Sequence, residues 1–565
     1  MNGRGPALSW RAGTLVLLGY FALSVLIFGR TALGHLDTRC ICSPSADPMQ
    51  YVWSIKWMPW AIGHGHNPFL TNAMWAPGPF DLATTGWAPL ASLVAIPVTI
   101  TVGPLAAYNL LILLSPALAG FFAFRLCHYI TGKLAPSIVG GFLFGFSSYL
   151  VGQMMGHLHL TLVFLIPLAV EVVLRHLDRR MSRRTFVIAI AAVIVGQALL
   201  STEILFTALL FGAITLVAGA IFTDSEGRGR IRQVAVDIVF GGIVGAIVLS
   251  PFLYYAVIYE STPPLLDASR FGMDALNPLV PTPADRIGRT SFSPVAYTFH
   301  GAFAETGGYL GIAVVLLGAW WLISTWKRPA TRVMLTVLAC AVLFALGTHL
   351  YISGQPTIWL PWKIVEGLPV FEQVIPTRLS MYMALVVAVA VAMALAAKAG
   401  APWLRWGLAI VGVIMLIPSG GSALFQSTPP DPTFFTSGQY KQYLHKEETV
   451  LAFPYSQLGF SMLWQARADM SFRVAGGYLA QQPPDEYMED PAVSQFYTKA
   501  TTPETPCLIK SFIERREVGA VLVEAGSEEP WGPELEKLGM KPQELGGIDY
   551  YRVPQAMPEP SGCTV

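Results

Sequence analysis

The chain has 565 residues, 53% hydrophobic and 13% charged, with a formal net charge of +1 and a mean hydropathy of +0.53. Soluble domains carry roughly 25% charged residues, so the composition excludes a water-soluble globular protein and indicates a polytopic membrane protein. The charge is unevenly divided: from Gln426 onward 11 Lys and Arg stand against 19 Asp and Glu, a net of −8 that leaves +9 for the rest. An acidic tail domain, 426–565, is therefore expected behind a basic membrane domain, 1–425.

Arg4 and Arg11 precede a first span, 12–29, whose N-terminus the positive-inside rule places in the cytoplasm. No small-residue cleavage site follows, so it reads as an anchor rather than a signal peptide. An outer loop, 30–86, comes next. In it Asp47 and Pro48, with Gln50 three residues on, read as an N-cap and capping box that open a helix. Trp53, Trp57 and Trp60 then give that helix an aromatic face, expected to lie at the membrane surface. The run 87–102 is short for a span and holds Pro89 and Pro97, so it is expected to be re-entrant or interfacial. On that register further spans fall at 104–127, 137–151, 160–174, 186–200, 204–222, 234–258, 309–326, 333–350, 380–397 and 403–417. The clusters around Arg175–Arg184, Arg228–Arg232 and Lys327–Arg332 return to the cytoplasm, giving about eleven helices and an extracytoplasmic C-terminus.

After Gly420 a Gly/Ser/Pro-rich linker leads to a small α/β domain. Its expected strands begin at Thr449 and Val518, its helix covers 532–538, and a terminal hairpin covers 546–553. Four cysteines, Cys40, Cys42, Cys507 and Cys563, face the outer side and permit three pairings. A bridge from the Cys40/Cys42 pair to Cys507 would tie the tail to the first loop. No phosphate-loop, dinucleotide or HExxH motif is present.

Candidate chemistry lies at the outer face. Asp47 is either a capping residue alone or a functional carboxylate. His157 and His159, in a short turn between two spans, are either interfacial polar caps or a functional pair, as cations or donors for a phosphate or as ligands together with carboxylates such as Asp47 or Glu203, and both can face a cavity only if the turn is non-helical. Glu203 is a carboxylate at the membrane edge with no basic neighbour in sequence, either functional or a helix N-terminal charge. Arg378 is a cation at the outer end of a span, where an anion partner, a bound phosphate or an acidic side chain, is the simplest compensation and snorkelling the alternative. Glu171 and Asp237 read as paired charges.

Together, Ala46-Asp-Pro48 before an aromatic helix, Asn67-Pro-Phe…Pro77-Gly-Pro, Tyr108-Asn-Leu-Leu111, Phe144-Gly-Phe-Ser-Ser-Tyr149…Gly156-His-Leu-His159 and Pro376-Thr-Arg378 resemble the GT-C superfamily of integral membrane glycosyltransferases. The resemblance covers essentially the whole chain. It implies a GT-C-like polytopic fold with an extracytoplasmic domain and a polyprenyl-phosphate-linked sugar donor. It implies transfer to a cell-envelope glycan, glycolipid or protein acceptor, with Asp47 as general base and inversion at the anomeric carbon. The donor is then expected near His157, His159, Arg378 and Glu203. The second acid usual in the family's first loop is absent, so a divalent metal has no ligand support. A bacterial plasma membrane is expected, because no Asn-x-Ser/Thr sequon occurs, and no nucleic-acid partner is expected. Secondary transport, with Asn109 and Gln197 as buried polar groups, and a non-catalytic assembly role are the rival functions.

Overall fold

The computed structural model describes residues 8–83, 85–258, 267–289, 291–367, 371, 374–479, 482–560 and 563. Seven helices among the described residues are long and apolar enough to cross a membrane: Trp10–Gly29, Pro104–Thr131, Leu134–Gln153, Leu158–Leu177, Thr202–Phe222, Ser225–Val248 and Pro376–Ala396. Ile312–Ser324, Pro329–Ala345 and Pro402–Met415 are shorter apolar helices, and Arg183–Ala198 runs between two of the longer ones. The run expected to be re-entrant forms two six-residue helices, Pro89–Val94 and Ile96–Thr101, meeting at Ala95. Pro104–Thr131 and Leu134–Gly145 approach closely because Gly145 faces the backbone of the other helix; a Cβ there would lie 2.5 Å from the Pro116 carbonyl oxygen. Basic residues gather at the helix ends remote from the tail, where Arg125 and Arg175 pair with Glu171, and Arg183 and His176 with Asp237.

The tail holds a five-stranded sheet in the order Arg473–Val474, Thr449–Phe453, Val518–Glu524, Ile548–Arg552, Pro542–Leu545. The first three strands are parallel, and the last two form a hairpin that turns on Gly546 and Gly547, so the expected 546–553 covers its turn and second strand while its first strand lies before it. The helix falls at Trp531–Glu536. Residues of the first loop cover the sheet edge: the Val474 amide donates to the Ala73 carbonyl (2.9 Å), and the Ala76 amide to the Val474 carbonyl (3.1 Å). This satisfies backbone groups an open edge would leave unpaired. The linker is welded down rather than free. Ser427 and Cys40 exchange backbone hydrogen bonds (2.9 and 3.1 Å), and Phe425 packs against Phe28.

Three expectations need correction. The aromatic stripe does not lie on the membrane surface: Trp53 and Trp57 are 0% and 1% exposed, and the Trp53 indole donates to Gln465 of the tail. The tail therefore caps the Asp47 helix, where burial of both rings outweighs interfacial anchoring. The Cys40/Cys42 pair is not bridged to Cys507, because each cysteine has a nearer partner, Cys40 with Cys42 and Cys507 with Cys563. Charge ties tail to loop instead, through Arg467 between Asp37 and Asp431 (2.7 Å each). Finally, Asp47 is not the N-cap. Ala46 takes that place with helical backbone and the Met49 amide bonds its carbonyl, so the Asp47 side chain makes no capping hydrogen bond.

Candidate active site

One cavity of about 540 Å³ lies between the helix ends and the tail, and Asp47, His157, His159, Glu203 and Arg378 all line it. Three helices present their first turns to it: Asp47–Gly63, Thr202–Phe222 and the span opening at Pro376. Helix N-termini carry partial positive charge and unpaired N–H groups, so their convergence favours an anion. Three buried side-chain atoms in the cavity wall lack a partner among the described residues: Gln50 Oε1, Trp87 Nε1 and Glu203 Oε1. Such atoms are costly in a folded protein unless a ligand or solvent reaches them.

Freed from capping, Asp47 accepts a hydrogen bond from the Tyr478 hydroxyl (2.6 Å), its sole hydrogen-bond partner among the described residues. Burial, reinforced by the Asp47 charge, raises the Tyr478 phenol above its ordinary value, so Tyr478 stays a donor. The tail domain thus completes the site across 431 positions of sequence.

Arg378 is held by acidic side chains. Its Nη1 donates to Glu203 (2.6 Å), while Nη2 and Nε grip Glu305 (2.6 Å and 3.1–3.2 Å). At 12% side-chain exposure it does not snorkel. Burial works against the Glu305 charge, but Arg378 outweighs it and holds this carboxyl below the usual range. One guanidinium against two carboxylates leaves no positive excess in the triad. The cavity's attraction for an anion therefore rests on the helix N-termini and on N–H groups still free.

The histidines differ in what they offer. Gln153 Nε2 donates to the Ala304 carbonyl (2.8 Å), which can only accept, so Gln153 Oε1 faces His157 Nδ1 (2.8 Å) as an acceptor. Nδ1 therefore carries a proton, and neutral His157 presents Nε2 as an acceptor. Burial lowers the His157 pKa, against the opposing pull of Glu305, which favours that neutral form. His159 Nδ1 meets the Tyr51 hydroxyl at 2.5 Å. Burial, with Asp47 adding to it, raises Tyr51 well above its usual range. The Tyr51 hydroxyl thus keeps its proton, and since His159 Nδ1 is its one hydrogen-bond partner among the described residues, Tyr51 donates and neutral His159 presents Nε2–H as a donor. Contrary to expectation, both rings line the cavity although Leu158–Thr161 is a turn of helix, because His157 precedes it and only His159 lies within it.

Glu305, Gln153 and Tyr478 were missed by sequence reasoning. Glu305 carries the signal that singled out Glu203, a carboxylate beside a span without a basic neighbour, but it sits inside the long loop before 309. Asn109 is satisfied structurally, accepting from the Ile41 amide and donating to the Leu36 and Arg39 carbonyls. Gln197 is buried away from the cavity, with both side-chain polar atoms unpaired among the described residues. Among the described residues no three His, Cys, Asp or Glu side chains group as a metal site. Arg378 already fills the place between Glu203 and Glu305 that a cation would take.

The chain has the fold of the GT-C membrane glycosyltransferases. It resembles the oligosaccharyltransferase of Archaeoglobus fulgidus (TM-score 0.57, 12% identity, 97% of this chain and 74% of that one). It also resembles the arabinofuranosyltransferase AftD from Mycobacteria (0.61, 14%, 98% and 42%) and ArnT from Cupriavidus metallidurans bound to undecaprenyl phosphate (0.52, 13%, 97% and 98%). By sequence the chain belongs to the family described as a domain of unknown function, DUF6311, which it matches over residues 16–418. No curated protein matches it.

Proposed function

We propose that the protein is a glycosyltransferase that moves a sugar from a polyprenyl-phosphate donor to an extracytoplasmic glycan, glycolipid or protein acceptor, inverting the anomeric carbon. The observation that carries this reading is the Asp47 carboxylate, released from capping, held by Tyr478 and open to a cavity ringed by helix N-termini. The fold supports it: an archaeal relative in fold was determined with a dolichol-phosphate, and ArnT with undecaprenyl phosphate.

In the proposed reaction Asp47 takes the proton of an acceptor hydroxyl as its oxygen bonds to the anomeric carbon. The bond from that carbon to the phosphate oxygen breaks, and polyprenyl phosphate leaves with the electron pair. The leaving phosphate lies against the first turn of the Thr202 helix, His159 Nε2–H and the two N–H groups of Arg378 that Glu203 and Glu305 leave free. Charge stabilisation there acts where negative charge develops. His157 Nε2 and Glu203 Oε1, both acceptors, receive hydroxyls of the donor sugar. Base catalysis by Asp47 supplies about 10²–10⁴-fold. The basic helix ends remote from the cavity support a cytoplasmic N-terminus and an extracytoplasmic tail.

The test is a panel of radiolabelled polyprenyl-phosphate pentoses and hexoses given to purified protein with membrane extract as acceptor. At least one donor is expected to release polyprenyl phosphate with transfer of label. Release from none of them would overturn the reading.

A further inference from the structure

A second cavity, of about 630 Å³, opens at the same end of the bundle but on another side of the 419–426 segment. Arg30, Arg286 and Arg289 line it together with Thr31, Ser419 and Ser422, and among the described residues no acidic side chain contributes. All three arginines are exposed, and among the described residues their side chains have neither an ion pair nor a hydrogen bond. Elsewhere Arg378, Arg467 and Arg183 each find carboxylates. Three uncompensated guanidinium groups around one hollow repel one another unless an anion is shared between them.

The cavity has a fixed framework. The Arg286 amide donates to the Ile417 carbonyl (2.8 Å) and the Ser419 amide to the Ala284 carbonyl (2.8 Å), welding the two chain segments that carry the arginines and serines. Gln426 Nε2 donates to the Phe28 carbonyl (2.6 Å) and fastens the same segment to the first span. Gly420 approaches so closely that a Cβ would lie 2.5 Å from the Ile27 carbonyl oxygen. The wall on that side is Val25–Gly29, a single π-helical turn, a form that recurs at functional sites. Leu26 in this turn is 62% exposed, which puts an apolar flank beside the cations at the end of a span.

We infer that this cavity binds a phosphate-headed lipid, its headgroup shared by Arg30, Arg286 and Arg289 and its chains along the flank at Leu26. Arginine suits phosphate because its planar fork donates two hydrogen bonds at once. The lipid source follows from the position: on the expected topology these arginines sit at the outer boundary, where the positive-inside rule disfavours unpaired cations. The site is separate from the transfer cavity, since none of its arginines lines that cavity.

The probe is dioleoyl phosphatidic acid added to delipidated, detergent-purified full-length protein, with binding read by native mass spectrometry. Dioleoylglycerol and inorganic phosphate are run in parallel. Wild type is expected to bind phosphatidic acid, and Arg286→Gln/Arg289→Gln to bind it about tenfold or more weakly. Arg30→Gln is expected to show a smaller loss in the same direction. These side chains have no partner among the described residues, so the variants should keep the wild-type unfolding temperature. Equal binding by wild type and the double variant, or binding of dioleoylglycerol as tight as phosphatidic acid, would overturn the inference. Arginine-dependent binding of inorganic phosphate with none of the lipid would overturn the lipid assignment.

Discussion

Replacing Arg378 by Ala removes the one cation between Glu203 and Glu305, whose side chains are 16% and 5% exposed. Breaking a buried ion pair costs about 3–5 kcal/mol, because the remaining charge stays desolvated and unpaired. Here two carboxylates lose their partner, so the loss belongs at the upper end of that range. Its pH dependence has a definite sign. In the wild type the Glu305 carboxyl is lowered, although burial alone would raise it. Its contribution is therefore present above the unfolded carboxyl value of about 4.3 and lost as pH falls through the lower folded value. Without Arg378 burial is opposed only by His157 and the Gln153 hydrogen bond, both smaller influences than burial itself, and the shift reverses. The folded variant then binds protons more tightly than the unfolded chain, and its defect grows as pH rises above about 4.3. Thermal unfolding in detergent near pH 5 and near pH 8 should show the larger deficit at the higher pH. Combining Arg378→Met with Glu203→Gln and Glu305→Gln should recover much of it, since no charge is then left buried. An unchanged unfolding temperature at both pH values, or a deficit larger at the acid value, would refute the account of the triad.

Lowering of the His157 pKa by burial predicts stability that is complete above the unfolded histidine value of about 6.5 and is lost as pH falls through the lower folded value. Unfolding temperatures between about pH 7.5 and pH 5 should fall more steeply for wild type than for His157→Gln. Tyr478→Phe removes the hydrogen bond to the Asp47 carboxylate and should cost about 1.5–3 kcal/mol of stability; transfer should drop, but less than on loss of the Asp47 carboxylate. Peptide mapping without reductant should recover Cys40 joined to Cys42 and Cys507 joined to Cys563, with Cys127 and Cys340 as free thiols. Any peptide joining Cys507 to the first loop would contradict the fold.

Much of this architecture was legible because membrane spans announce themselves locally, by long apolar runs, and because Thr449–Phe453, Val518–Glu524 and the Gly546-Gly547 turn carry strand and turn chemistry in a few residues. All five candidate site residues reached one cavity for a related reason: a charged or titratable side chain beside a span is costly enough to stand out in sequence. What escaped was pairing at a distance. Nothing near Trp53 says that Gln465 will bury it, and an amphipathic aromatic stripe reads the same whether a membrane or a domain covers it. Asp-Pro is a good helix opening with Asp on either side of the boundary; a shift of one residue turned a cap into a free carboxylate. Glu305 and Tyr478 reach the cavity by chain routes of 73 residues from Arg378 and 431 from Asp47, which no local pattern encodes.

If Asp47 removes the acceptor proton, Asp47→Asn must lose sugar transfer while keeping the fold. The amide is nearly isosteric and can still accept from Tyr478, so fold and donor binding should persist. An amide cannot take up the proton, and sugar transfer from the polyprenyl-phosphate donor should fall by about 10²-fold or more. Label transfer by purified Asp47→Asn, at wild-type unfolding temperature, within a few-fold of wild type would contradict the account.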